Sequence, residues 1–154
     1  MSNLYCIDAS TILHMQWFYP ADIFSQIWKK FEVDANSGLL ITTEVVVEEI
    51  GKKGDYASTF VKTLNHFGLK MDNETIQNAK AILKAVPNII DAQNPNPQAD
   101  PYLIGLSMAK SAILVTQEKS APQSKKAKIP DVCNKFNVPC INLLELARAR
   151  QWTF

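Results

Sequence analysis

The stretch Leu4-Tyr5-Cys6-Ile7-Asp8-Ala9-Ser10 decides the fold, because a short apolar run here ends in a single carboxylate. The apolar residues predict a buried strand, and Asp8 stands where that strand gives way to a loop or helix. Aspartate is almost never fully buried without a partner, so an aspartate at the end of a core strand requires an explanation. Ligands of open α/β sheets bind just beyond the carboxyl ends of the strands, which makes Asp8 the first candidate for chemistry.

Strands and helices alternate along the rest of the chain. The apolar runs that predict further strands are residues 39–41, 69–71, 113–116 and 138–141. The helical stripes between them include one that starts near Pro20 and contains Ile23 and Phe24, and one from about Gln98 to Lys110. This alternation predicts an α/β fold, a three-layer α/β/α sandwich around a central, mostly parallel sheet of four or five strands. The length suits a single domain over residues 1–154.

Composition excludes several classes of protein. The net charge of +1 gives no overall attraction for nucleic acid, so such a site needs local clustering. No Gly-x-Gly-x-x-Gly or Walker loop occurs, which argues against dinucleotide and P-loop nucleotide binding. Three cysteines without a Cys-x-x-Cys motif indicate a reduced compartment. Neither a signal segment nor a membrane-spanning run is evident, so a cytoplasmic protein without a membrane partner is expected.

Several carboxylates are expected to meet at one edge, because right-handed crossovers bring the carboxyl ends of parallel strands together. The acidic residues near this edge are Asp8, Glu48 or Glu49, Asp100, Glu118 and Asp131. Each alone has an ordinary role as a helix cap, a first-turn charge or a solvated side chain. Together, unit charges 4 Å apart repel by about 4 kcal/mol at an effective dielectric of 20, so the set predicts a bound cation or raised pKa values. Oxygen ligands without histidine or cysteine favour Mg²⁺ or Mn²⁺.

Four segments, in this order, resemble the motifs of PIN-domain nucleases. They are Ile7-Asp8-Ala9-Ser10, Val47-Glu48-Glu49-Ile50, Ala99-Asp100-Pro101-Tyr102-Leu103-Ile104 and Leu114-Val115-Thr116-Gln117-Glu118. The chain is also similar to a PIN-like family of uncharacterised proteins in the stretch Phe18-Tyr19-Pro20 and in the Lys-Ile-Pro-Asp-Val-Cys motif at 128–133. The resemblance covers nearly the whole chain, and the order and spacing of the motifs are far more specific than any one of them.

The resemblance implies a metal-dependent endoribonuclease, often the toxin of a toxin–antitoxin pair, that hydrolyses RNA phosphodiesters. It also implies a protein antitoxin as partner and, in many members, a homodimer. The acids that would hold one or two Mg²⁺ or Mn²⁺ ions are Asp8, Glu49, Asp100 and Glu118, with Asp131 as a helper. Glu49 is preferred to Glu48 because the family's glutamate directly precedes an aliphatic residue. The family's fourth acid is usually aspartate, so the longer arm of Glu118 is a departure.

Polar and basic residues beside these acids complete the predicted site. Ser10 and Thr116 would orient water or phosphate. The lysines that would neutralise an RNA backbone are Lys119, Lys125, Lys126 and Lys128, although such a cluster alone is more often a solvated loop. Trp17 and Tyr19 offer stacking surfaces for bases, but core packing is the more common role of such side chains.

Two other interpretations remain open. A catalytically inactive member of the same fold would act as a protein- or RNA-binding module, which the neutral net charge and Glu118 keep plausible. A phosphotransfer domain is disfavoured, because dehalogenase-like enzymes need a second aspartate where Ser10 stands. A receiver domain needs paired acids after the first strand, and Asp8 is alone there.

Overall fold

A five-stranded, all-parallel sheet forms the centre of the protein in the computed structural model, which describes residues 3–154. The strands are β1 (Tyr5–Ile7), β2 (Leu40–Thr43), β3 (Gly68–Leu69), β4 (Ile113–Val115) and β5 (Cys140–Ile141). Their order is β3-β2-β1-β4-β5, and Tyr5 lies opposite both Leu40 and Ile113. The predicted parallel sheet is therefore confirmed, with β1 at its centre.

Helices flank the sheet and give the predicted three-layer α/β/α sandwich. They are α1 (Ala9–Phe18), α2 (Ser25–Asn36), α3 (Glu44–Gly51), α4 (Tyr56–Thr63), α5 (Asn73–Ala85), α6 (Asp100–Lys110), α7 (Ile129–Lys135) and α8 (Leu143–Ala149), with a 3₁₀ turn at Pro87–Ile89. None of the helices within residues 3–154 combines the length and apolar character needed to cross a membrane.

The segment between α1 and α2 departs from the prediction. The second helix begins at Ser25 rather than near Pro20, because the amides of Ile23 and Phe24 donate to the Pro20 carbonyl and close a turn there. Ile23 is 70% exposed and does not join the buried stripe. Core packing for Trp17 is also wrong, since its side chain is 67% exposed. Helix α1 is apolar around most of its circumference, so periodicity does not identify its buried face.

Helix α6 fixes the position of the acidic residue at its start. It packs across β1, β2 and β4 on one side and against α5 on the other. A Cβ atom on Gly105 would lie 2.8 Å from the Thr75 carbonyl oxygen and 3.1 Å from the Ala79 amide nitrogen. Only glycine permits this approach of α5 to α6. The close contact fixes α6 against α5, and Asp100 is the first residue of α6.

Candidate functional site

Asp8 lies at the carboxyl end of the central strand and is only 5% exposed. Its backbone occupies the N-cap position of α1, but its side chain makes no capping hydrogen bond. Instead, the carboxylate oxygen Oδ2 accepts hydrogen bonds from the Ser10 hydroxyl at 2.6 Å and from the Thr116 hydroxyl at 2.7 Å. The side chain of Asp8 therefore does not cap helix α1.

The two hydroxyls belong to a network that joins the ends of β1 and β4. Ser10 Oγ accepts from the Gln117 amide at 3.0 Å, and Thr116 Oγ1 accepts from the Glu118 amide at 3.1 Å. The hydroxyl oxygens lie 3.2 Å apart. The network orients Asp8 rigidly, and every donor to its carboxylate is a neutral group. Ser10 and Thr116, both predicted site residues, are thus brought directly against the first acid.

The environment of Asp8 holds its pKa well above the ordinary value. The pKa of Asp8 is raised from 3.8 to about 6, chiefly by burial and then by the negative charges of Asp100 and Glu118, against the opposing hydrogen bonds of Ser10 and Thr116. The structure therefore brings three of the predicted acids, from three separate parts of the chain, within electrostatic reach of one another.

Asp100 and Glu49 both line a single cleft. Asp100 is the first residue of α6, and the N-cap position before it is Ala99. Burial raises the pKa of Glu49, and the charge of Asp100 adds to that increase, while Lys53, Lys126 and Lys52 oppose it. This coupling agrees with the preference for Glu49 over Glu48, although both residues line the cleft.

The cleft is open to solvent and has a volume of about 450 Å³. Its polar lining consists of Glu48, Glu49, Lys52, Asp91, Asn94, Asn96, Gln98, Asp100 and Lys126. Asp8 is not among the lining residues and lies at the end of β1. A space of this size, lined by both carboxylates and lysines, suits a charged ligand that enters from solvent.

Glu118 and Asp131 have different local roles. Glu118 Oε1 accepts a hydrogen bond from the Ile129 amide at the start of α7, at 3.1 Å. Asp131 uses both carboxylate oxygens on the preceding loop, since one accepts the Ser120 hydroxyl and the other accepts the Ala121 amide at 2.8 Å. Asp131 therefore anchors the loop through both of its carboxylate oxygens.

The donor set fits a hard divalent cation. Among residues 3–154, no three His, Cys, Asp or Glu side chains are already arranged for metal binding. The charges of Asp100 and Glu118 nevertheless contribute to the raised pKa of Asp8, and that of Asp100 to the raised pKa of Glu49, while the ammonium of Lys126 lies 3.0 Å from Asp100 Oδ2. An ammonium at the acids shows that this place attracts positive charge. Carboxylate and hydroxyl oxygens are the donors that Mg²⁺ and Mn²⁺ prefer.

Lys126 is the lysine that the structure places against a predicted acid. Of the other lysines predicted to bind RNA, Lys119 is exposed in the loop after β4, as is Lys125, and Lys128 occupies the N-cap position of α7. Lys126 appeared in the sequence only as one member of a lysine cluster. Nothing local distinguishes it, because its partner Asp100 is 26 residues away and is reached only through the fold.

Comparison with known proteins adds one match. The family described as Domain of unknown function (DUF4411) matches residues 5–154, a span that contains every candidate site residue named above. No curated protein matches the chain. The match covers the whole sheet and all its flanking helices, and the chain therefore belongs to the DUF4411 family.

Proposed function

We propose that this protein is a Mg²⁺- or Mn²⁺-dependent endoribonuclease that acts as the toxin of a toxin–antitoxin pair. The observation that carries the proposal is the buried Asp8 at the end of β1, held by neutral hydroxyls and surrounded by the charges of Asp100 and Glu118. A buried carboxylate with a strongly perturbed pKa beside an open cleft is typical of a functional site. The order of the acidic motifs, which resembles that of PIN-domain nucleases, supports the choice of chemistry.

Each residue of the cleft has a distinct task in this proposal. Asp8, Asp100, Glu118 and Glu49 would hold the cation. When bound, a divalent cation makes water a better nucleophile and neutralises charge on a phosphodiester. Ser10 and Thr116 keep the carboxylate of Asp8 in one orientation.

The lysines around the cleft would bind the nucleic-acid backbone. Lys52 lies on the wall of the cleft, while Lys119 and Lys125 are exposed on the loop after β4. Each ammonium that contacts a phosphate displaces counterions, so binding should weaken as salt concentration rises. Exposed Trp17 offers a flat face on which an unpaired base can stack.

In this proposal the cellular compartment follows from the cysteines, and the partners follow from the resemblance to PIN-domain nucleases. Cys6, Cys133 and Cys140 are all free thiols, as expected of a protein in the reducing cytoplasm. A protein antitoxin and a second copy of the chain are the partners that the resemblance implies.

A cleavage assay tests the proposal. The wild-type protein, Asp8→Asn and Asp100→Asn are incubated with single-stranded RNA and Mn²⁺, with the same sequence as DNA in a parallel reaction. We expect each variant to lose at least about 100-fold in rate, because each removes a charged ligand. Asp72→Asn is the matched control, since Asp72 caps α5 through the Thr75 amide and asparagine caps equally well. Equal RNA cleavage by wild type and both cleft variants would contradict the proposal. Cleavage of the DNA but not of the RNA would contradict RNA as the substrate.

A catalytically inactive RNA- or protein-binding module is the second candidate. The ion pair between Lys126 and Asp100 favours it, because this contact already satisfies one of the acids without a metal. Melting of the wild-type protein with and without millimolar Mn²⁺ separates the two functions. A ligand that binds only the folded state raises the melting temperature, so an unchanged temperature, combined with RNA binding that does not lead to cleavage, would favour the module.

A further inference from the structure

One lysine, Lys126, forms an ion pair with an acid of the candidate site. The Nζ atom of Lys126 lies 3.0 Å from Asp100 Oδ2, and the contact satisfies the geometry of both a hydrogen bond and an ion pair. Partial burial lowers the pKa of Lys126, but the charge of Asp100, its hydrogen bond and the charges of Glu118 and Asp8 more than offset it, so that the pKa is raised. Lys126 also opposes the rise in the pKa of the fourth acid, Glu49.

The backbone on both sides of Lys126 is held by one residue. The side-chain amide of Asn88 donates to the carbonyl of Lys125 at 3.1 Å, and the amide of Ala127 donates to the carbonyl of Asn88 at 2.9 Å. Asn88 lies in the 3₁₀ turn between α5 and α6, far from this loop in the sequence. The chain therefore presents Lys126 to the cleft from a fixed point, unlike a lysine on a free loop.

The ends of the same loop are fastened as well. Asp131 binds the hydroxyl of Ser120 and the amide of Ala121 near the start of the loop, and Glu118 binds the Ile129 amide just beyond its end. An exposed lysine–carboxylate pair on a mobile segment usually contributes little, because ordering both side chains offsets the attraction. Here the backbone around Lys126 is held in place, so only the side chain, which is 43% exposed against 18% for Asp100, has still to be ordered. The ammonium therefore reaches Asp100 from a fixed point.

We propose that Lys126 is a tethered counter-ion of the acidic cleft, which a divalent cation must displace from Asp100 before the site can load. The inference rests on the proposed function, since it concerns the cation of that site. Without metal, the ammonium offsets the repulsion among the carboxylates. When metal concentration rises, the two cations compete for Asp100. Lys126 thereby sets the metal concentration at which the cleft becomes active, and it acts as a positioning residue rather than a catalytic one.

Mn²⁺ binding measured by isothermal titration calorimetry tests this inference. The variants are Lys126→Met and its matched control Lys125→Met, which removes the same charge from an exposed neighbour without vacating Asp100. We expect Lys126→Met to bind Mn²⁺ about tenfold more tightly than wild type, because several carboxylates lose the competing charge. Lys125→Met should stay within about twofold of wild type, because its ammonium lies in high dielectric. Lys126→Arg, which keeps the charge, should return the affinity towards that of wild type.

The outcomes separate this inference from the proposed function. Equal affinities for wild type and Lys126→Met, or equal tightening in both methionine variants, would overturn the inference and leave the nuclease proposal standing. Absence of Mn²⁺ binding in all the variants would overturn both. Melting in EDTA guards against a purely structural effect. If Lys126 only stabilised the fold, Lys126→Met would melt at a lower temperature, and the Mn²⁺ affinity of the folded protein would not change.

Discussion

Two aspartates are buried in this protein to almost the same extent, but their surroundings are opposite. Asp34, at the end of α2, is 7% exposed, and Asp8 is 5% exposed. Asp34 accepts hydrogen bonds from Arg150 Nε at 2.8 Å, from Arg150 Nη2 at 3.1 Å and from Trp152 Nε1 at 2.9 Å. Asp8 accepts only from two neutral hydroxyls and lies near two further carboxylates.

The difference is the one expected between a structural carboxylate and a functional one. Asp34 meets a guanidinium in a two-pronged ion pair, which compensates its desolvation and fastens the C-terminal residues to α2. Asp8 lacks a directly bonded cation, so its ionised form stays costly in the folded state. Buried charges without a compensating cation cluster at functional sites, where a ligand interacts with the charge. The kind of group that hydrogen-bonds to each aspartate, rather than its burial alone, therefore separates Asp8 from Asp34.

The largest effect is expected at the structural aspartate. Asp34→Asn should lower the free energy of unfolding by about 3 kcal/mol, because Arg150 loses its counter-charge and the pair cannot be replaced by an amide. Urea unfolding at pH 7 measures the change. Asp8→Asn in EDTA is the paired experiment, and it should not destabilise the protein at this pH. If both substitutions destabilised the protein equally, the distinction between the two aspartates would be wrong.

The second effect is a dependence of stability on pH that belongs to Asp8. Its folded pKa of about 6 lies above the ordinary 3.8, so the folded state binds the proton more tightly than the unfolded chain does. This contribution to stability is complete below pH 4 and is lost as the pH rises through 6. The shift corresponds to at most about 3 kcal/mol. In EDTA, Asp8→Asn should therefore gain stability relative to wild type from pH 4 to pH 8.

Comparison of urea midpoints at several pH values measures this gain. Asp34→Asn serves as the control for titration of other groups, since its difference from wild type should lack the rise between about pH 4 and pH 6. A constant difference between Asp8→Asn and wild type across the range would show that the carboxylate of Asp8 is not perturbed.

The sequence was sufficient to predict the sheet and the acids along its edge. An apolar run that ends in one carboxylate, repeated strand–helix alternation and the handedness of crossovers are local or general properties, and they place Asp8, Asp100 and Glu118 on the same side. Glu49 was chosen through the resemblance, and its coupling to Asp100 agrees with that choice.

The sequence was not sufficient for contacts that depend on long loops. Lys126 reaches Asp100, and Asn88 holds the loop around Lys126, only because segments distant in sequence are folded together. The exposure of Trp17 was missed for a different reason. Helix α1 carries apolar residues on most of its surface, so the face that meets the sheet is decided by the neighbours rather than by periodicity.

The smallest effect concerns the hydroxyls that hold Asp8. Ser10→Ala removes a donor to Oδ2 that lowers the pKa of Asp8, so the pH dependence described above should move to higher pH. The variant should lose about 1 kcal/mol at pH 8, where the carboxylate is charged, and less at pH 4, because hydrogen bonds to charged groups are the stronger ones. Ser107→Ala is the matched control, because its buried hydroxyl donates to the neutral Leu103 carbonyl and its loss should not vary over this range. A cost of Ser10→Ala that is equal at both pH values would mean that the hydroxyl does not act on the charge of Asp8, and the network would then be only a scaffold.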